Sequence, residues 1–144
     1  ITEALAALLA NQGIGSQVQL FTWEGMLDLV RQGQYDVSVV FWTPEMTGHP
    51  DLHLKSQFHS KAEMNYQGWA NPRFDALVDT GRALDRGADY DATYREALTI
   101  LQEDAPIMPL VHKVFVVASS DAVQGYRVHP SGFFFDFKSV SKGE

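Results

Sequence analysis

The chain has 144 residues, 45% of them hydrophobic, and a formal net charge of −7 from 11 Lys and Arg against 18 Asp and Glu. This length and this hydrophobic content predict one domain with a sizeable core rather than a disordered chain. Because the sequence has no Cys, it excludes disulfides, Cys-ligated zinc and a thiol nucleophile, and its acidic balance argues against a nucleic-acid partner.

The first 42 residues predict the order helix, strand, helix, strand. Thr2 is expected to cap a helix that Gly13 ends, and residues 18–22 alternate as a strand does. Residues 23–32 return to helical spacing, and residues 35–42 form a β-branched and aromatic run typical of a buried strand. This alternation favours a parallel or mixed sheet with helices packed on it.

The segment from residue 43 to residue 70 is irregular. It holds three of the five His residues, with Pro44, Gly48, Pro50 and Gly68, and a short helix is predicted only at residues 52–58. Long irregular segments inside compact domains are usually functional or mobile, so we expect functional residues here.

Two helices and several strands are predicted in the rest of the chain. Asn71-Pro72 is typical of the N-cap and first residue of a helix. Asp89 is expected to cap the next helix, which Ala105-Pro106 ends. A turn is predicted at residues 121–125, and strand-like runs occupy residues 107–110, 114–118, 126–128 and 133–137. The last of these runs is almost wholly aromatic and would be an exposed apolar patch if its partner surface were missing.

The sequence has none of the common catalytic motifs. There is no Walker A sequence, no G-x-S-x-G elbow and no H-E-x-x-H, and residues 13–15 lack the third Gly of a dinucleotide fingerprint. The carboxylates are scattered, so none of them is marked as an acid–base pair. We therefore expect no enzyme and no cofactor, with a hydrolase lacking any recognisable motif as a remote alternative.

Three histidines of the irregular segment are minority candidates for metal ligands. His49 and His53 are four residues apart, and His59 lies six residues further on. On a helix, the first two imidazoles would share a face and could bind a transition metal. Pro50 opposes this pairing because it disfavours a helical conformation at His49. Three ordinary loop histidines are the preferred interpretation.

Trp42 and Glu45 form a second candidate site. Trp42 ends a predicted strand and Glu45 follows in the loop, where open α/β sheets bind their ligands. An aromatic wall and a carboxylate could hold an apolar side chain and an ammonium group. From spacing alone, a core Trp and a solvated Glu are the simpler alternative.

Four stretches of the chain together carry a family resemblance. They are residues 8–23, residues 33–36 with 41–42 and 50–51, residues 65–77 (Asn-Tyr-Gln-Gly-Trp-Ala-Asn-Pro-Arg-Phe-Asp-Ala-Leu), and residues 94–97 with 103–110 (Glu-Asp-Ala-Pro-Ile-Met-Pro-Leu). The last two are the most specific, and the ordered set covers nearly the whole chain. It resembles the C-terminal part of the dipeptide-, oligopeptide- and nickel-binding family (family 5) of extracytoplasmic solute-binding proteins of ABC importers.

The resemblance implies an α/β, type II periplasmic-binding-protein-like fold whose two lobes close on a ligand. Residues 1–110 are expected to form most of the C-terminal lobe, a mixed sheet flanked by helices. Residues 111–144 would cross the hinge and return to the other lobe. Because the chain opens with Ile1 rather than Met, we expect a truncated piece of such a protein.

The implied function is non-catalytic capture of a small solute, a di- or oligopeptide, and its delivery to an ABC permease. The location would be periplasmic or extracytoplasmic, with the membrane reached only through an anchor or signal absent from this chain. Exposed strands could also pair two copies into a dimer.

The resemblance also assigns roles to residues of the irregular segment. Glu45 takes the position of an acidic residue, more often Asp, that pairs with the ligand's α-amino group in the peptide binders. Trp42 would form part of the cleft wall, and Asn65 and Tyr66 would shape its rim. His59 lies in the region where some nickel-binding members place a His near a chelated metal, so nickel is the alternative ligand.

Two departures from the family pattern lie near Glu45. Phe41 stands where Gly is common, and the loop that leads to Pro50-Asp51 is slightly longer than usual. Either departure could move Glu45 away from the cleft.

Overall fold

The computed structural model describes residues 1–41, 49–112, 114, 116–129 and 137–143. Their helices are α1 (Thr2–Asn11), α2 (Trp23–Arg31), α3 (Asp51–His53), the π-helical segment Leu54–Phe58, α4 (Pro72–Arg82) and α5 (Ala88–Asp104). Their strands are β1 (Val123–Gln124) and β2 (Ser141–Lys142), which pair antiparallel. The chain divides into two compact units, Ile1–Trp42 and Thr43–Glu144. No helix among these residues is both long and apolar enough to cross a membrane.

The first unit contains α1 and α2. The Thr22 side chain caps α2 by accepting a hydrogen bond from Gly25 N at 3.2 Å. The capping role expected for Thr2 is wrong, because Ile1 is the N-cap of α1 and no side chain caps that helix. Gly13, with φ at +79°, follows α1 in the left-handed conformation that favours glycine, as expected. Val30 is the single fully buried residue described in this unit.

The segments predicted as strands do not form the expected sheet within the described residues. Residues 18–22 and 35–41 lie outside any ladder, as do the described parts of 107–110, 114–118 and 126–128. The short β1 instead lies within the predicted turn at residues 121–125. Strand propensity marks a chain that fits a sheet, but a ladder requires a partner strand. Most of residues 133–137 lie outside the described residues.

The core of the second unit lies between α4, α5 and the π-helical segment. Its buried residues are Leu54, Phe58, Phe74, Val78, Tyr90, Tyr94 and Ala97. Phe74 and Val78, which are four residues apart and share one face of α4, are completely inaccessible. The two helices are closely packed at Gly81, where an added Cβ would lie 2.8 Å from the Tyr94 ring.

The ends of α4 and α5 follow the sequence in part. Asn71 caps α4 as predicted, since its side-chain oxygen accepts from the backbone N–H groups of residues 73 and 74, and Pro72 begins the helix. The cap of α5 is Gly87 rather than Asp89, which lies in the first turn, where the helix dipole favours its carboxylate. Ala105 ends α5 in the left-handed conformation, with φ at 46°, directly before Pro106.

Candidate functional site

The predicted site residues fall into two groups. Trp42 and Glu45 lie outside the described residues. Asn65, Tyr66 and the three candidate histidines lie within residues 49–71, which precede α4 in the second unit. Their contacts fix the conformation of this part of the chain.

The 59–71 loop is closed on itself by one side chain. The Asn65 amide nitrogen donates to the carbonyl of His59 at 3.3 Å and to the carbonyl of Trp69 at 2.6 Å. Both amide protons of Asn65 are therefore engaged, and its Oδ1 is buried without a hydrogen-bond partner in the described structure. Asn65 fixes the shape of the loop, and the adjacent Tyr66 is partly exposed on it.

The end of the 59–71 loop is held by α5. The Trp69 indole Nε1 donates to Asp104 Oδ2 at 3.1 Å, and the Asn71 amide donates to the same oxygen at 2.9 Å. The Trp69 ring also packs edge-on against Phe74, with centroids 4.9 Å apart. One carboxylate thus joins the loop, the N-terminus of α4 and the C-terminus of α5.

The beginning of the loop is held by α4. Asp75 accepts hydrogen bonds from the backbone N–H and the hydroxyl of Ser60. The buried His59 accepts from Lys61 N at its Nδ1, and its Nε2 lies 3.5 Å from Asp79 Oδ2. The Lys55 ammonium also contacts Asp79, and this hydrogen bond lowers the pKa of the Asp79 carboxyl.

His49 and Asp51 join the start of the second unit to α4 and α5. The His49 ring lies edge-on to Tyr90 and Tyr94, at 5.4 and 5.8 Å, and its Nδ1 accepts from Asp51 N. Asp51 Oδ2 lies 3.5 Å from Arg82 Nε. Burial, followed by the neighbouring Asp51 charge, raises the pKa of Tyr94 to about 12. The Tyr94 phenol therefore remains neutral at any physiological pH.

The three candidate histidines are held in separate places. His53 Nδ1 lies 2.7 Å from the Gln57 amide, His49 packs on the tyrosines, and His59 faces α4. Across the described ranges, no three His, Cys, Asp or Glu side chains are grouped so that they could hold a metal ion. His49 and His53 do not share a helical face, because α3 begins only at Asp51.

Sequence reasoning missed Asp104, which the structure places at the junction of two helices and the loop. Its stretch was recognised as specific, but a lone acidic residue near a helix end carries no local signal. The buried hydroxyl of Tyr94 next to Asp51 could be found only from the fold.

Comparison with known proteins finds relatives over most of the chain. The probable di/tripeptide-binding protein 5 of Pseudomonas aeruginosa is 28% identical over 133 residues, which are 90% of this chain and 25% of that protein. The probable deoxycholate-binding periplasmic protein YgiS of Escherichia coli is 26% identical over 118 residues, 81% of this chain and 22% of that protein. No family model matches the chain.

A solved structure gives the same result. HbpA2 from Haemophilus parasuis superimposes with a TM-score of 0.81 at 25% identity, covering 99% of this chain and 28% of that one. This confirms the predicted type II periplasmic-binding-protein-like fold, although the positions predicted for its strands differ from those described above. The chain spans about a quarter of the length of the relatives that it matches. The resemblance inferred from the sequence is thus confirmed, and the chain is a homologue of one segment of the di/tripeptide-binding, family 5 solute-binding proteins.

Proposed function

We propose that this chain is part of a solute-binding protein that captures a di- or tripeptide without chemical turnover. The observation that carries the proposal is the match of 90% of the chain, at 28% identity, to the probable di/tripeptide-binding protein 5 of Pseudomonas aeruginosa. The captured solute would be delivered to an ABC permease from the periplasmic or extracytoplasmic side of the membrane. Membrane association would come from an anchor or signal elsewhere in the protein.

The remainder of the binding cleft would come from residues beyond this sequence. The matched relatives are about four times longer, so a second lobe has room in the complete protein. We propose that residues 1–110 contribute the C-terminal lobe and residues 111–144 the connection to the other lobe. A cleft between two lobes can bury a small ligand almost completely, and its closure changes the surface that a permease meets.

Trp42, Glu45, Asn65 and Tyr66 are the residues proposed to face the solute. Trp42 would form an apolar wall, and Glu45 would bind the α-amino group by charge-assisted hydrogen bonds. The contacts of the 59–71 loop support a shaping role for Asn65, because its amide joins residues 59 and 69. Tyr66 is partly exposed beside it, and we propose that its side chain contacts the solute.

Calorimetry on the complete protein tests this proposal. Dialanine and trialanine are expected to bind, and Glu45→Gln should weaken both by about tenfold or more, since it removes the charge from the amine contact. Glu63→Gln, an exposed carboxylate of the same segment, is the matched control and should bind as the wild type does. Deoxycholate is the comparison solute. Binding of deoxycholate but of neither peptide would contradict the peptide proposal. An unchanged peptide affinity in Glu45→Gln would contradict the amine contact.

Nickel or a metal chelate is the alternative ligand that the family resemblance raised. His59 is its candidate residue, but in this structure the His59 ring faces Lys61 N and Asp79. The nickel alternative expects saturable Ni²⁺ binding by the complete protein that His59→Ala abolishes. Ni²⁺ binding that survives this change would remove His59 from consideration.

We propose separately that two copies dimerise through exposed segments that were predicted as strands. Val114 and Val116 are 79% and 85% exposed, so this stretch presents apolar side chains that a second copy could cover. Sedimentation at rising concentration should show a dimer that Val116→Lys weakens. A monomer at all concentrations would reject it.

A further inference from the structure

The two most specific stretches of the family resemblance are hydrogen-bonded to each other. Asp104, in the second stretch, accepts from Trp69 Nε1 and from the Asn71 amide, both in the first. These contacts join residues that are 35 and 33 positions apart in the sequence. The two stretches that carry the resemblance are therefore separate in the sequence but in contact in the fold.

The location of Asp104 is unfavourable for the helix that carries it. It is the last residue of α5, where the negative end of the helix dipole repels a carboxylate, and α5 has no basic residue in its last turn. The stability of α5 alone would favour a neutral or basic residue at this position. The hydrogen bonds to Trp69 and Asn71 give the carboxylate a role outside its own helix.

Trp69 connects Asp104 to the 59–71 loop. Its indole donates to Asp104, and its carbonyl accepts from the Asn65 amide at 2.6 Å. The Gly68 N–H in turn donates to the Asn65 carbonyl at 3.2 Å, which closes the turn that contains Tyr66. The chain of contacts thus runs from α5 through Trp69 to Asn65 and to the turn that contains Tyr66.

We propose that Asp104 is a positioning residue for the solute-binding rim at Asn65 and Tyr66. It holds the Trp69 indole and the Asn71 amide on one carboxylate oxygen, so that the end of the 59–71 loop is fixed relative to α4 and α5. Asp104 itself does not touch the solute. This inference rests on the proposed function, because its readout is solute affinity.

Trialanine binding to the complete protein tests this role, with the unfolding midpoint measured on the same samples. Asp104→Ala should weaken binding by about fivefold or more, the lower end of typical coupling between sites. Its midpoint should change little, because the loss of two exposed hydrogen bonds is offset by removing a charge that α5 disfavours. Asp104→Asn keeps an acceptor oxygen and should restore most of the affinity.

Two further variants separate positioning from a merely structural effect. Glu103→Ala removes a neighbouring charge from the same helical turn and should leave affinity unchanged. Trp69→Phe removes the indole donor, and together with Asp104→Ala it should cost no more affinity than either change alone.

The outcomes test the proposed function and the positioning role of Asp104 separately. No trialanine binding by the wild-type protein rejects the proposed function. Binding by the wild type that Asp104→Ala leaves unchanged rejects the positioning role while the function stands. An equal loss in Glu103→Ala also rejects it, since charge rather than the junction would then be responsible. If Asp104→Ala does not fold, Trp69→Phe decides, and wild-type affinity in that variant overturns the inference.

Discussion

Replacement of Gly81 by Ala tests the close approach of α4 and α5. A Cβ at this position would lie 2.8 Å from Cε2 and 2.9 Å from Cζ of Tyr94, shorter than any normal carbon contact. The ring has little space to retreat, because Tyr94 is only 3% exposed and its centroid lies 4.7 Å from that of Tyr90. The added methyl group requires either a shift of the helices or an unfavourable rotamer of Tyr94.

Two effects of opposite sign determine the size of the change. Ala inside a helix is favoured over Gly by about 1 kcal/mol. Forcing an extra methyl group into a packed core costs about 1–3 kcal/mol. Because the overlap involves two atoms of a confined ring, we expect the upper part of that range. The free energy of unfolding should therefore fall by about 1–2 kcal/mol in Gly81→Ala.

Urea unfolding followed by far-UV circular dichroism measures this change. Gly15→Ala is the control, because nothing lies within 4 Å of a Cβ at that position and Gly15 lies outside the helices and their caps. The control should stay within about 0.5 kcal/mol of the wild type. An increase in stability for Gly81→Ala, equal to its gain in helix propensity, would refute the steric reasoning. An equal loss in the control would refute it as well.

Three further predictions concern the cap of α4 and two titrating groups. Asn71→Ala should lower the free energy of unfolding by about 1–2 kcal/mol in the urea assay, and Asn71→Ser, which keeps a capping oxygen, should lose less; equal losses would reject the cap as the cause. The pKa of Tyr94 is raised to about 12 in the folded protein, so folding favours the neutral phenol. The contribution of the neutral phenol to stability is complete below the ordinary tyrosine pKa and is lost as pH rises toward 12. Absorbance titration should show one of the five tyrosines ionising last, and Tyr94→Phe should remove that step rather than an earlier one. The pKa of Asp79 is lowered by Lys55, so its contribution is present above about pH 4 and is lost as pH falls through the folded-state pKa. Unfolding free energies of the wild type and Lys55→Met should therefore converge on acidification, and a gap independent of pH would contradict the contact.

Local sequence patterns predicted the helices well. Helical spacing located α2, Asn71-Pro72 located the start of α4 to the residue, and Ala105-Pro106 located the end of α5. These features depend on neighbours within one or two turns, which a sequence displays directly. The two capping errors, at Thr2 and Asp89, concern the choice among adjacent residues at a helix start, where several can serve.

The strands were predicted less well, because their stabilisation is not local. Residues 18–22 and 35–41 have the composition of strands, yet the described structure gives them no ladder. Val37 is 64% exposed there, although its run of residues predicts a buried strand. Sheet formation depends on partners that are distant in sequence, so composition alone could not decide it.

The candidate site shows the same division. Residue types and their order were sufficient to identify the resemblance to solute-binding proteins, which the relatives confirm. They could not show that Asn65 uses its amide to close the 59–71 loop, or that His49, His53 and His59 lie in separate environments.

The amino-acid sequence by itself thus determined the helices, the absence of cysteine chemistry and the family resemblance, since each depends on composition or short-range order. Only the tertiary structure decided which polar groups meet. Asp104 and Trp69 are 35 residues apart. Their hydrogen bond exists because α4 and α5 pack around Phe74 and Tyr94, which brings the two stretches of the resemblance together. Such contacts depend on the geometry of the whole core, which no local pattern encodes.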